Sequence, residues 1–135
     1  MNDRELLELA ARAAGIPDAL YLDCVAQDMY HPRDGEAGIE VNHRDTRWSC
    51  LAIDGVWNPL TDDGDALRLA VKLRLDITFY NGFQEVAAEP SNGDGMNPCQ
   101  EVFTENPYAA TRRAIVRAAA EIGKSMTQPG ATSSP

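Results

Sequence analysis

Apolar positions recur at helical spacing in three stretches of this chain and alternate with polar ones in the stretches between. Leu6, Leu9, Ala10 and Ala13 form an i, i+3, i+4, i+7 stripe that predicts a helix over 3–14. Asn2 or Asp3 is suited to cap it, Glu5 and Glu8 sit near its positive end, and Gly15 with Ile16-Pro17 stops it. A second helix is expected over 62–74, with Leu67, Ala70 and Val71 on its inner side. Ala66, Leu69 and Leu73 widen that side, while Arg68 and Lys72 occupy the polar remainder. The third helix starts at Pro107 with Asn106 as its cap and runs to Met126 through Tyr108, Thr111, Ile115, Ala119 and Ile122.

Between these lie strand signals. Residues 20–25, 39–41, 47–53 and 100–104 read as short strands, and Ile77-Thr78-Phe79-Tyr80 with Phe83-Gln84-Glu85-Val86-Ala87 reads as a hairpin. Asn81-Gly82 between its arms predicts a two-residue type I′ turn, because both turn positions then need positive φ. That turn sets Tyr80 opposite Phe83 and Ile77 opposite Val86. Both hairpin faces carry apolar or aromatic bulk, so both are expected to be covered. Segments 29–38 and 90–98, rich in Gly, Pro and Asn, read as loops, and 127–135 as a disordered tail behind a single domain over 1–126. The fold class expected is α+β, an antiparallel sheet with helices on both faces, that is, an α/β/α sandwich.

The segment Trp57-Asn58-Pro59-Leu60-Thr61-Asp62-Asp63-Gly64-Asp65 is the sharpest local signal. Pro59 fixes its own φ and extends Asn58, and the carboxylates that follow match the free N–H groups of a helix start. Those carboxylates also suggest a cation site. The regularly spaced ligands and distal Glu of a calcium loop are missing, and capping accounts for them. Trp57 suits a core anchor between strand and helix, or alternatively a stacking platform; Asn58 suits an Asx-type turn.

Composition narrows the class further. The chain is 135 residues long, 44% hydrophobic, with mean hydropathy −0.36, and no apolar run approaches the ~18–20 residues of a bilayer span. Its start lacks the layout of a secretion signal, so a cytoplasmic setting is expected. Cys24, Cys50 and Cys99 form no C-x-x-C pair and read as buried small side chains. A zinc site built from them with His31 and His43 lacks any local ligand spacing. Net charge is −9. From residue 107 onward there are four basic residues and one acid, so the preceding 106 residues carry −12. An acidic body of this kind does not favour nucleic acid or an anionic membrane.

The order of elements, the Trp57–Leu73 segment, Glu5-Leu6-Leu7-Glu8-Leu9-Ala10 and Ala114-Ile115-Val116-Arg117-Ala118-Ala119-Ala120 together resemble the small bacteriophage proteins of the phage ABA-sandwich domain family. The matching blocks cover under half of the chain, and the Trp-Asn-Pro block is the distinctive one. The resemblance implies a helix/sheet/helix sandwich encoded by a phage or prophage and working in the bacterial host's cytoplasm. It carries no catalytic residues onto this sequence.

No G-x-S-x-G, H-E-x-x-H, Walker or G-x-G-x-x-G motif is present, so a non-catalytic protein without cofactor or metal is expected. One expectation is a counter-defence protein that sequesters a small nucleotide-like immune signal. Aromatic residues (Trp48, Trp57, Tyr80) would stack a base, Arg112, Arg113 and Arg117 would hold phosphate, and Asn58 is counted with them as a ligand contact. Alternatively Arg113 and Arg117 extend with Glu121 into an i, i+4 ladder. The competing expectation is an acidic protein–protein inhibitor that mimics nucleic acid in a basic host site; a small phage protein with no ligand-binding role is the third. A homodimer or higher oligomer is compatible with each.

Overall fold

The computed structural model describes residues 1–16, 21–22, 37–40, 56–90, 98–102 and 105–126. In chain order the elements are α1 (Asp3–Ala13), β1 (Tyr21–Leu22), β2 (Gly38–Glu40), β3 (Val56–Trp57), α2 (Asp63–Leu73), β4 (Leu75–Tyr80), β5 (Glu85–Pro90), β6 (Cys99–Val102) and α3 (Pro107–Met126). The expected strand at 47–53, most of the loops at 29–38 and 90–98, and the tail at 127–135 lie outside the described residues.

The class is α+β. Strand pairing is antiparallel throughout but divided between two three-stranded sheets, β1-β2-β3 and β4-β5-β6, where one sheet was expected. In the first, Ile39 stands opposite both Tyr21 and Trp57. In the second, β5 is central, with Phe79 opposite Val86, Ile77 opposite Ala88 and Ala88 opposite Cys99. α3 packs against one side of this second sheet and also touches α1 and α2.

α3 is the hub because its sequence buries almost its whole girth. Ala110, Ala114, Ile115, Val116, Ala118, Ala119, Ala120 and Gly123 are all enclosed. Small residues let neighbouring backbones close in, and α1 answers with Ala10 and Ala11, followed by Ala14 just past its end. The core joins these to Leu6, Leu7, Ile39, Trp57, Leu69, Val86, Ala88 and Cys99.

Helix starts follow the local chemistry. Asn2 Oδ1 accepts from the Glu5 N–H at 2.8 Å, Asp62 Oδ2 from the Asp65 N–H at 2.8 Å, and Asn106 Oδ1 from the Ala109 N–H at 3.1 Å. Helix faces differ from the sequence reading. In α1 the buried row is Leu6, Leu7, Ala10 and Ala11, with Leu9 only partly covered. In α2 the buried row is Asp65, Ala66, Leu69 and Ala70, whereas Leu67 and Val71 are 62% and 68% exposed. Tyr108 and Met126 of α3 are exposed as well. The α2 rotation has a specific cause: the inner face is set by a buried carboxylate, which a hydrophobic stripe does not register.

The hairpin is also corrected. Asn81–Gln84 form a four-residue loop, closed by Phe83 N–H to Tyr80 C=O at 3.0 Å, and Tyr80 pairs with Glu85. The positive φ falls at Gln84 (55°) instead of at Asn81 and Gly82. The register slips by two residues, and an even slip leaves every side chain on its expected face.

Candidate functional site

Trp57 ends β3 fully buried, and the chain turns a corner directly after it. Pro59 and Asn58 are enclosed with it. Asn58 Oδ1 accepts from the Leu60 N–H at 3.1 Å, closing an Asx turn, and its Nδ2 donates to the Ala37 carbonyl at 3.1 Å. Its own backbone N–H donates to Asp65 Oδ2 at 2.9 Å. Asp65 is wholly buried, and Arg68 reaches its other oxygen at 2.7 Å. A buried carboxylate needs such partners, since an uncompensated one costs several kcal/mol. Gly38 completes the corner: at φ 151°, a Cβ there would sit 2.7 Å from the Trp57 carbonyl oxygen. The Trp57 indole N–H is buried without a hydrogen-bond partner among the described residues.

The α3 arginines radiate from one helix to three different anchors. Arg112 Nε donates to the Leu60 carbonyl at 2.8 Å and its Nη1 to Asp63 Oδ1 at 2.6 Å, fastening α3 to the corner. Arg113 pairs with Asp3 at 3.0 Å, at the start of α1. Arg117 donates to the Gln100 carbonyl at 2.9 Å and pairs closely with Glu101 of β6. Tyr80 lies apart, exposed at the end of β4 beside the hairpin loop and its exposed Phe83.

Of the six residues singled out from sequence, the fold therefore joins Trp57 and Asn58 in one buried corner and ties Arg112 to its rim. It sends Arg113 and Arg117 to a separate open cleft of about 360 Å³, lined with Met1, Leu6, Glu101 and Glu121, and leaves Tyr80 elsewhere. Trp57 offers no free ring face, and Trp48 lies outside the described residues. Nearby, burial pushes the Cys99 thiol above its ordinary pKa; Arg117 opposes that rise and Glu121 and Glu101 add to it.

Sequence reasoning passed over Asp3, Asp63, Glu101 and Asp65 as partners. Only Asp65–Arg68, at i, i+3, had a local signal; the others join residues far apart in the chain. Among the described residues no three His, Cys, Asp or Glu side chains gather in a way that could hold a metal ion. Cys24, Cys50, His31 and His43 fall outside them. No helix among the described residues is long and apolar enough to cross a membrane. Comparison with known protein families, with curated proteins and with solved structures finds no match.

Proposed function

We propose that this chain is a phage accessory protein of the ABA-sandwich kind that acts without catalysis, by offering an acidic surface to a host protein in the bacterial cytoplasm. One observation carries the reading: Arg112, Arg113 and Arg117 are each already matched by a carboxylate of the chain itself. The strongest basic cluster is thus neutralised internally, and the body keeps its net −9 outward. Carboxylates arrayed on such a surface suit a basic host site that ordinarily receives phosphate. The sandwich part of the reading, with cover on both faces of the β4-β5-β6 sheet, draws support from β5. Val86 and Ala88 belong to the core, yet Ala87, which points the other way, is only 3% exposed, and one Glu89 carboxylate oxygen is buried too.

A second reading, sequestration of a small nucleotide-like host signal, has its own support in the cleft beside Arg113 and Arg117. An anion there would have to displace Asp3 and Glu101 from the two guanidiniums.

The two readings separate in one experiment, in which tagged protein is incubated with host lysate and washed at salt rising from ~0.1 M to ~0.5 M. The acidic-surface reading expects a host protein that is captured at low salt, lost at high salt and retained by Arg113→Ala. Release of a heat-stable small molecule on denaturing the washed protein, abolished in Arg113→Ala and Arg117→Ala, would overturn it in favour of sequestration.

A further inference from the structure

The hairpin end of the β4-β5-β6 sheet joins exposed apolar side chains to unbroken acidity. There the register sets Tyr80, Glu85 and Val102 side by side across the three strands, on one face. Neighbouring strands stand ~4.8 Å apart, so Tyr80 and Val102 flank Glu85 with their backbones ~10 Å from each other. Both are exposed, Val102 at 62%. Phe83, in the adjoining loop, is 77% exposed, and its N–H donates to the Tyr80 carbonyl. Two residues along β5 the same face is closed, at Ala87. A single exposed apolar residue is ordinary, but three at one end of a sheet make a patch. Its charge is one-sided as well: residues 75–111, which carry this whole sheet, hold six acids and no Lys, Arg or His.

We propose that this patch is where the chain grips its host protein, and that the partner presents an arginine beside an aliphatic side chain. The inference rests on the acidic-surface reading and gives it a place and a chemistry. A guanidinium fits that place better than an ammonium does. Its flat, weakly hydrated face stacks on the Tyr80 or Phe83 ring while its N–H fork reaches the Glu85 carboxylate. A lysine ammonium is a compact, strongly hydrated charge with no plane to stack. Val102 receives the neighbouring aliphatic group. Charge complementarity selects the class of partner. With no cation in 75–111, nucleic acid or an acidic protein is repelled here, whereas a basic segment is drawn in. The chain's own Arg112, Arg113 and Arg117 are held elsewhere, by Asp63, Asp3 and Glu101. Aromatic rings also lose little rotamer freedom on being fixed, which suits them to anchor an interface.

The probe is a synthetic peptide of alternating Arg and Leu, titrated into isotope-labelled full-length protein and followed by amide NMR shifts. Shifts should gather at residues 80–85 and 100–102, and the matching Lys/Leu peptide should bind ~5-fold or more weakly. Phe83→Ser and Glu85→Gln should each keep the circular dichroism and weaken the Arg/Leu peptide by ~5-fold or more. Shifts spread evenly over the acidic surface, equal binding of the two peptides, or unchanged affinity in both variants would overturn the proposal. So would shifts of the same amides on concentrating the protein alone, which would assign the patch to a second copy. Host capture by the wild type that persists in Phe83→Ser would sink this placement and leave the acidic-surface reading standing. Peptide binding at the patch with no host protein captured would do the reverse.

Discussion

Gly123 of α3 lies against the backbone of Leu9 in α1: a Cβ on Gly123 would overlap the Leu9 carbonyl oxygen and stand 2.8 Å from its carbonyl carbon. The two helices are in main-chain contact there, at a spacing only glycine permits. In an exposed helix Gly→Ala gains ~1 kcal/mol. Here Gly123→Ala should instead cost ~2–3 kcal/mol, since rigid backbone has to move. Urea denaturation reads the sign directly; a neutral or stabilising result would mean that the helices stand further apart.

The buried corner makes a second, independent claim. Asp65→Ala removes the acceptor for the Asn58 N–H and the counter-charge of Arg68 at once, and should cost ~3–5 kcal/mol. Asp65→Asn keeps the shape and one acceptor, so it should cost less. Thermal melts of the two variants side by side give that order, and equal melting points would show that the retained shape and acceptor contribute nothing beside the lost charge.

Arg112 and Arg113 are neighbours in sequence but should differ in effect. The Arg112 side chain is 18% exposed and bridges Leu60 and Asp63, whereas Arg113 and Asp3 are both well exposed. Arg113→Ala should therefore change stability by under ~0.5 kcal/mol and Arg112→Ala by ~1–2 kcal/mol. Added salt should erase the smaller effect first.

Cys99 is enclosed in the core with its thiol pKa raised by burial. A raised acid pKa means that the fold disfavours the thiolate, so this contribution to stability is complete below the ordinary thiol pKa and is lost as pH climbs through the raised value. Alkylation at pH 8 should leave the Cys99 peptide unmodified in the native protein and modify it fully in ~6 M guanidinium. Peptide mass spectrometry checks this residue by residue. Rapid native labelling would place the thiol at the surface.

What the sequence disclosed was mainly what is local. Asn2, Asp62 and Asn106 cap helices by bonding N–H groups three residues on, so type and spacing announce them. The α2 face was misread because Asp65 counts as polar in any stripe, and only a tertiary corner makes it a core residue. The hairpin slipped for a related reason. Asn-Gly permits a tight turn without requiring it, and here a four-residue loop puts the positive φ on Gln84. The site was least legible of all, since the Asp3–Arg113 and Asp63–Arg112 pairs span 110 and 49 positions. Such pairs have no spacing rule; they exist only once α3 has been laid between α1 and α2.

That central position of α3 bears on how the protein is made. Every other described element precedes it in the chain, yet the apolar sides of α1, α2 and β5 rest on it. During vectorial synthesis on the ribosome those sides emerge before the helix that shields them. The nascent chain is expected to stay open to chaperones and proteases until residues around 120 leave the exit tunnel, and truncation before Pro107 is expected to give no smaller folded piece.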